Sequence, residues 1–123
     1  MFFDPDIIKR TKKNKFFRQE ISTHKHAQLV LMSVKSGDEI GEESHDVDQT
    51  LVFVSGKADA ILGDERFEVG KGSLVIVPAG VVHNFIAKGR GPLKLFTIYS
   101  PPEEPVGTLH KTKKEALEAE HHH

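Results

Sequence analysis

The chain has 123 residues, of which 37% are hydrophobic and 28% charged, a composition that fits one globular domain with one core. Its formal net charge of −1 gives no basic field, so we expect neither nucleic acid nor a membrane surface as a partner. The sequence has no cysteine, no visible signal peptide and no apolar run near the ~18 residues of a membrane span, which predicts a cytoplasmic protein without disulfides or thiolate metal ligands.

Residues 1–27 are predicted to form an N-terminal helix and a lead-in segment. Asp4 can cap the helix, Pro5 suits its first position, and Asp6 complements the positive end of the helix dipole. Five basic residues follow within positions 9–15. Because the overall charge is near zero and no aromatic residues are interleaved, we interpret this stretch as a solvated connector rather than a phosphate-binding arm.

Short strands separated by glycine and proline turns dominate the middle of the chain, which is predicted to be β from Phe16 onward. The expected strands are 28–34, 51–54, 58–62, 66–69, 74–77, 82–87 and 93–100. Many short strands at regular intervals are typical of a sandwich or barrel, so we predict an all-β barrel over residues 28–100. The stretch 74–77 is continuously apolar, which predicts a strand covered on both faces.

A proline-containing tail and a C-terminal helix are predicted over residues 101–120. The prolines that follow Tyr99 cannot continue a central strand. Thr112 and Glu115 have the spacing of a capping box, which predicts where the helix begins. The three histidines at 121–123 resemble the remnant of a purification tag, so we assign them no function.

Candidate metal ligands alternate along one stretch of the predicted barrel. Glu43 and His45 are two residues apart, so in a strand both side chains point to the same face, and Gln49 has the same parity. Asp46 and Asp48 have the opposite parity and are expected to face outward. Glutamate and imidazole together suit manganese, iron, nickel or zinc.

A second candidate ligand, His83, follows a turn signal. Pro78 and Gly80 suit a type I turn that begins at Pro78 and ends at Gly80, and this turn would set the direction in which His83 enters the barrel. An empty or vestigial pocket is the alternative to a metal site. The predicted metal ligands are Glu43, His45, Gln49 and His83.

Glycine and proline residues frame these ligands at fixed spacing. The first group is Gly37, Glu43, His45, Gln49 and Gly56, with five, one, three and six residues between them. The second group is Gly72, Pro78, Gly80 and His83, with five, one and two residues between them. In spacing and order, both groups resemble the two motifs of the cupin family. The resemblance implies an all-β cupin-type double-stranded β-helix, or jelly-roll barrel, with short terminal helices.

Three positions depart from the family pattern. Glu43 replaces the usual first histidine, Gln49 replaces the usual glutamate, and Ala87 stands where asparagine is usual. The ligand set still carries one carboxylate, in a harder mixture of oxygen and nitrogen donors. We therefore expect a retained but weaker site, shifted toward manganese, iron or nickel, with competition by zinc.

The resemblance also implies a class of function. Residues 99–102 and 107–110 resemble the tail of small bacterial cupins labelled mannose-6-phosphate-isomerase-like. Such a protein would be a metal-dependent isomerase or dioxygenase-type cupin acting on a sugar, a sugar phosphate or an organic acid. A non-catalytic cupin that binds a small ligand, with a weak or vestigial metal site, is the alternative. If Glu43 is not a ligand, it could serve as a catalytic general base.

Apolar residues are predicted on both faces of the strand over residues 51–54. Leu51, Phe53 and Phe85 have the parity of the ligands and are expected to line the pocket. Val52 and Val54 have the opposite parity, which predicts an apolar outer face. Such a face needs cover, so we expect a homodimer.

Overall fold

The structure is a computed structural model, and it describes residues 3–121. The described residues form nine strands and two helices. The strands are β1 (Arg18–Thr23), β2 (Gln28–Val34), β3 (Asp48–Ser55), β4 (Lys57–Leu62), β5 (Glu65–Gly70), β6 (Leu74–Val77), β7 (His83–Lys88), β8 (Leu93–Ser100) and β9 (Leu109–His110). The helices are α1 (Ile7–Lys13) and α2 (Lys113–His121). His122 and His123, which belong to the predicted tag remnant, lie outside the described residues.

Two antiparallel sheets enclose the core. The larger has the strand order β6-β3-β8-β2-β1-β9, and the smaller has the order β5-β4-β7. Side chains alternate along β8, where Leu93, Leu95 and Tyr99 are buried while the residues at 94, 96 and 98 are half-buried. The rings of Phe53 and Phe85 meet between the sheets with centroids 5.5 Å apart. The all-β barrel predicted from the strand pattern is confirmed.

The larger sheet extends beyond residues 28–100 at both ends. Strand β1, from the lead-in segment, pairs antiparallel with β2 and contains an irregularity between Glu20 and Ser22. Strand β9, from the tail, pairs with the other edge of β1. The lead-in segment and the tail therefore take part in the sheet that forms one wall of the barrel.

Both helices begin at capping side chains. Asp6, rather than Asp4, caps α1 by accepting a hydrogen bond from the Lys9 backbone N–H at 3.0 Å, so the helix begins later than predicted. At α2, the Thr112 hydroxyl accepts from the Glu115 backbone N–H at 3.2 Å, as the capping-box spacing predicts. Neither described helix is both long and apolar enough to span a membrane.

Strand β6 is covered on only one face, which corrects the prediction for residues 74–77. Val75 and Val77 are buried, whereas Leu74 and Ile76 are 59% and 57% exposed. The strand lies at the edge of the larger sheet, and nothing in residues 3–121 covers its outer face. A continuous apolar run therefore marks here a strand with one buried face and one open apolar face.

A bulge in β3 changes the predicted outer face of that strand. The register with β8 shifts between Phe53 and Ser55, so that Phe53 and Val54 are both buried. Val52 is half-buried and pairs with Leu74 of β6. The apolar outer surface therefore includes Val52, Leu74 and Ile76, but not Val54.

At the β3–β4 turn, the backbone at Gly56 lies close to the backbone at Pro92. A Cβ atom at this position would lie 2.5 Å from the Pro92 carbonyl oxygen, and φ is +85°. At Gly63 φ is also positive, at +55°, but a Cβ atom would have no neighbour within 4 Å. We expect Gly63→Ala to cost about 1 kcal/mol of unfolding free energy from the left-handed backbone alone. Gly56→Ala should cost about 3 kcal/mol or more, because the backbone at Pro92 must also move.

Urea unfolding of both variants, followed by circular dichroism, measures the difference. Equal losses at the two positions would show that the backbone at Pro92 yields without cost, contrary to this account.

Candidate metal centre

An irregular segment carries the first two predicted ligands. Residues 35–47 form no regular strand, although the alternation of Glu43 and His45 was interpreted as that of a strand. They run antiparallel to β7 through isolated bridges. Glu43 and His83 exchange two backbone hydrogen bonds, each 2.9 Å long. Ile40 donates to the Phe85 carbonyl at 3.0 Å along the same edge. These bonds place Glu43 directly opposite His83.

The turn before β7 holds the second motif in position. The Val81 N–H donates to the Pro78 carbonyl at 3.1 Å, so Gly80 is the third residue of the turn. Its φ of +86° is the signature of a type II turn at this position, which corrects the predicted type I turn. The Gly80 N–H also donates to the His45 carbonyl at 2.7 Å. The turn therefore joins the two ligand segments directly.

Three of the four predicted ligands converge on one point. Glu43, His45 and His83 each offer a donor atom, and these atoms all lie within 4.8 Å of one another. The His45 Nε2 atom lies 3.5 Å from a Glu43 oxygen. The two imidazole rings are 5.4 Å apart between centroids. Asp46 and Asp48 are exposed, as their parity predicts.

Hydrogen bonds at Nδ1 orient both imidazoles. The His83 Nδ1 atom is 2.9 Å from the Val81 carbonyl oxygen, and the His45 Nδ1 atom is 3.1 Å from Glu103 Oε1. Because a carbonyl and a carboxylate only accept, each Nδ1 must carry the proton. Each Nε2 then presents a lone pair, which is the form in which imidazole binds a metal.

Gln49 extends from β3, where it pairs with Tyr99 of β8. Its amide nitrogen donates to the Thr97 hydroxyl at 3.1 Å and to the Tyr99 hydroxyl at 3.4 Å. The Tyr99 ring is in turn 5.6 Å from the His45 ring. With the nitrogen committed to these hydroxyls, the Gln49 oxygen remains as a buried acceptor.

The donor set fits a divalent transition metal. His45 Nε2 and Gln49 Oε1 are buried and have no hydrogen-bond partner among the described residues. A buried acceptor without a donor is costly, and a cation among Glu43, His45 and His83 would satisfy the Nε2 atom of His45. Two imidazoles, a carboxylate and an amide oxygen form a ligand set suited to manganese, iron, nickel or zinc.

Burial sets the charge of the ionisable groups. It raises the pKa of the Glu43 carboxyl above its usual value, although Arg18 and His45 oppose this effect. It lowers the pKa of the His83 imidazole, which is therefore neutral near neutral pH. It also raises the pKa of the Tyr99 phenol, which stays protonated. His83 can therefore bind a cation without first losing a proton, whereas the raised pKa of Glu43 lets a proton compete with a cation there.

A cavity of about 380 Å³ opens beside Glu43 and His45. The residues predicted to line the pocket, Leu51, Phe53 and Phe85, are instead fully buried in the core, and none of them lines this cavity. Its charged and polar lining comes from the irregular segment 35–47, β1, the tail and α2. These residues are Arg18, Glu43, His45, Glu103, Glu104, Thr108, His110 and Glu120.

Arg18 is the buried cation of this cavity, and the sequence analysis missed it. Its side chain is 5% exposed, and its Nη2 and Nε atoms lie 3.9 Å from Glu43 and 3.5 Å from Glu104. Nε has no hydrogen-bond partner among the described residues. Arg18 stands at a position of β1 whose side chain faces inward. This position could have identified it, but only after residues 18–23 are assigned as a strand.

Comparison with known proteins identifies the family. The Cupin domain family matches residues 30–99, more than half of this chain. YrkC, an uncharacterized protein of Bacillus subtilis (strain 168), is 41% identical over 96% of this chain and 67% of its own length. The crystal structure of BH2720 from Bacillus halodurans is similar with a TM-score of 0.93 at 37% identity, covering 96% of this chain and 95% of that chain.

A more distant structure is similar in fold alone. It is the RmlC-like cupin family protein with a double-stranded β-helix fold from Methanocaldococcus jannaschii. The TM-score is 0.66 at 17% identity, with 73% of this chain and 84% of that chain covered. Together with the family match over the barrel and the ligand motifs within it, these likenesses show that the chain belongs to the cupin family.

Proposed function

We propose that this cupin binds one divalent transition metal through Glu43, His45 and His83, with Gln49 as a fourth ligand, and takes a small polar molecule into the adjoining cavity. The observation that carries the proposal is the convergence of three donor atoms within 4.8 Å beside a cavity of about 380 Å³. A metal bound there supplies Lewis acidity toward an oxygen of that molecule. An isomerase or a dioxygenase-type reaction stays a prediction, because a fold alone does not define a reaction.

Glu43 is the residue we propose for proton transfer if it is not occupied as a ligand. Its carboxylate lies at the cavity wall, and burial raises its pKa toward the range useful to a general base. Arg18 opposes that rise and holds the carboxylate from 3.9 Å. The two roles compete, since lone pairs given to a metal are less available to a proton.

A non-catalytic ligand-binding cupin is the second candidate function. The observation that favours it is Gln49, because a neutral amide oxygen is a weaker metal ligand than a carboxylate. Its nitrogen is also tied to Thr97 and Tyr99, which fixes the oxygen in one orientation. A weak metal site would then serve ligand binding rather than turnover.

The lining charge favours an uncharged ligand. Four carboxylates line the cavity, from Glu43, Glu103, Glu104 and Glu120, against one guanidinium from Arg18. A sugar phosphate or an organic acid would meet this negative field even after a divalent cation is added. The hydroxyl groups of a neutral sugar can instead donate to carboxylates and accept from Arg18. Among the three predicted ligand classes, we therefore propose the neutral sugar.

Metal content tests the proposed site. We expect near one equivalent of manganese, iron, nickel or zinc in tag-free protein, measured by elemental analysis after the metal is offered and the excess removed. His45→Ala and His83→Ala should each lower metal affinity more than about 100-fold, beyond the ~10–100-fold loss typical of groups that only support a ligand. The exposed His26 is the control, and His26→Ala should bind as wild type. A wild-type protein that takes up none of the four metals contradicts the proposal.

Thermal shift tests the ligand class. For the metal-loaded protein, we expect a neutral hexose at saturation to raise Tm by roughly 5 °C, and the matching hexose phosphate to raise it less. A shift that requires metal supports the proposed metal-dependent binding, with or without turnover, whereas a metal-free shift favours a binding module that does not use the metal. An equal or larger shift with the phosphate would rule out selection by the acidic lining.

We also propose a homodimer that covers the open face of β6. Leu74 and Ile76 are exposed there, beside the half-buried Val52. Leu74→Glu and Ile76→Glu would place a charge in that interface, so we expect each to convert a dimer to a monomer in light scattering. Phe67→Glu is the control, since Phe67 is a partly exposed apolar residue on the other sheet. A monomeric wild type would refute the dimer directly.

A further inference from the structure

The tail beyond β8 reaches the metal centre through one carboxylate. Glu103 Oε1 lies 3.1 Å from His45 Nδ1, on the side of the ring opposite Nε2. Its position in the chain is 58 residues after His45 and outside the matched family span of 30–99. Neither sequence motif includes it. We propose that Glu103 is a positioning residue, which fixes the tautomer and orientation of His45 for metal binding. This inference rests on the proposed metal site.

The Glu103 carboxylate determines which ring nitrogen of His45 has a free lone pair. It accepts a hydrogen bond from Nδ1–H, which keeps the proton on Nδ1 and the lone pair on Nε2. That Nε2 atom is buried and without a hydrogen-bond partner among residues 3–121, on the side where Glu43 and His83 converge. A carboxylate partner also makes imidazole a more basic ligand than a carbonyl partner does. Since His83 relies on the Val81 carbonyl, Glu103 would make His45 the stronger of the two ligands.

A buried glutamine holds the backbone of Glu103 in place. The Gln28 side chain is 1% exposed, and its Oε1 accepts from the N–H groups of Glu103 at 3.1 Å and Glu104 at 2.9 Å. Its Nε2 donates to the Glu104 carbonyl at 2.7 Å. Three hydrogen bonds from one side chain thus fix the two residues at the bend of the tail.

Strand β1 anchors the tail a few residues later. The Gly107 N–H donates to Glu20 Oε1 at 3.0 Å, and the Glu20 N–H donates to the Thr108 carbonyl at 2.9 Å. Residues 103–108 are therefore tied to the barrel at both ends. A carboxylate held in this way can orient His45 at little entropic cost, because its backbone is already ordered.

Metal titration of the tag-free full chain distinguishes positioning of His45 by Glu103 from the effect of the negative charge of Glu103 on metal affinity. We expect Glu103→Ala to lower the affinity for Mn²⁺ and Zn²⁺ by about 10–100-fold. In Glu103→Gln the amide oxygen still accepts from Nδ1, so the loss should stay within about threefold. Glu104→Gln removes the same charge from the next residue without a contact to His45, and it should match Glu103→Gln. If Glu103→Ala binds metal as Glu104→Gln does, the carboxylate acts only through its charge and the inference is wrong.

Nitrogen NMR of His45 in the metal-free protein reads the tautomer directly. We expect the Nδ1–H form in wild type and Glu103→Gln, and a mixture of both tautomers in Glu103→Ala. An Nε2–H form in wild type overturns the inference whatever the metal affinities are. A wild type that binds no metal, yet loses its single tautomer in Glu103→Ala, would sink the proposed function and leave the positioning role intact.

The Gln28 side chain supplies a remote variant. It contacts the tail and Thr23, and no hydrogen bond joins it to His45 within the described chain. Gln28→Leu should lower metal affinity several-fold by releasing Glu103, in protein whose circular dichroism spectrum confirms that it is folded. Unchanged affinity in the folded variant would show that the tail anchor does not serve the metal centre.

Discussion

The two backbone hydrogen bonds between Glu43 and His83 are the contact on which the site depends. Residues directly opposite each other in an antiparallel pair have side chains about 4.5–5.5 Å apart at Cβ. One isolated bridge therefore brings a carboxylate and an imidazole together where no regular strand exists on one side. The bond from the Gly80 N–H to the His45 carbonyl adds the second imidazole to the same frame. Backbone hydrogen bonds thus position the candidate ligands.

The site lies between an apolar core and an acidic cavity, and this position determines its chemistry. On the core side, the Phe85 ring is 6.2 Å from the His83 ring and contacts Phe53 beyond it. Low polarity on that side keeps the imidazole neutral. On the cavity side, Arg18 and the tail carboxylates surround Glu43. The neutral His83 imidazole offers a lone pair to a cation. At Glu43 a cation competes with a proton, because burial raises the pKa of that carboxyl.

Local pattern predicted much of this arrangement, and long-range contacts explain what it did not predict. Spacing along the chain indicated the strands and the convergence of Glu43, His45 and His83, because two-residue alternation and turn residues are local properties. Glu103 reaches His45 from a distant tail whose path depends on Gln28, and no local pattern encodes such a path. The type II turn at Gly80 and the open face of Leu74 depend likewise on neighbours that the strand pattern does not name.

The amide at Gln49 is explained by its hydroxyl neighbour. The Thr97 hydroxyl has one proton, which it donates to the Thr50 carbonyl at 2.9 Å. It can then only accept from residue 49, and the Gln49 nitrogen donates to it. A glutamate at position 49 would place a carboxylate oxygen against a lone pair of the Thr97 hydroxyl. It would also add a second buried carboxylate to a site that already contains Glu43, and both effects are unfavourable. Relative to the usual cupin pattern, the carboxylate has moved from position 49 to position 43 and an amide takes the place of one imidazole. This arrangement puts the negative charge beside Arg18, at the cavity, and the neutral amide in the core.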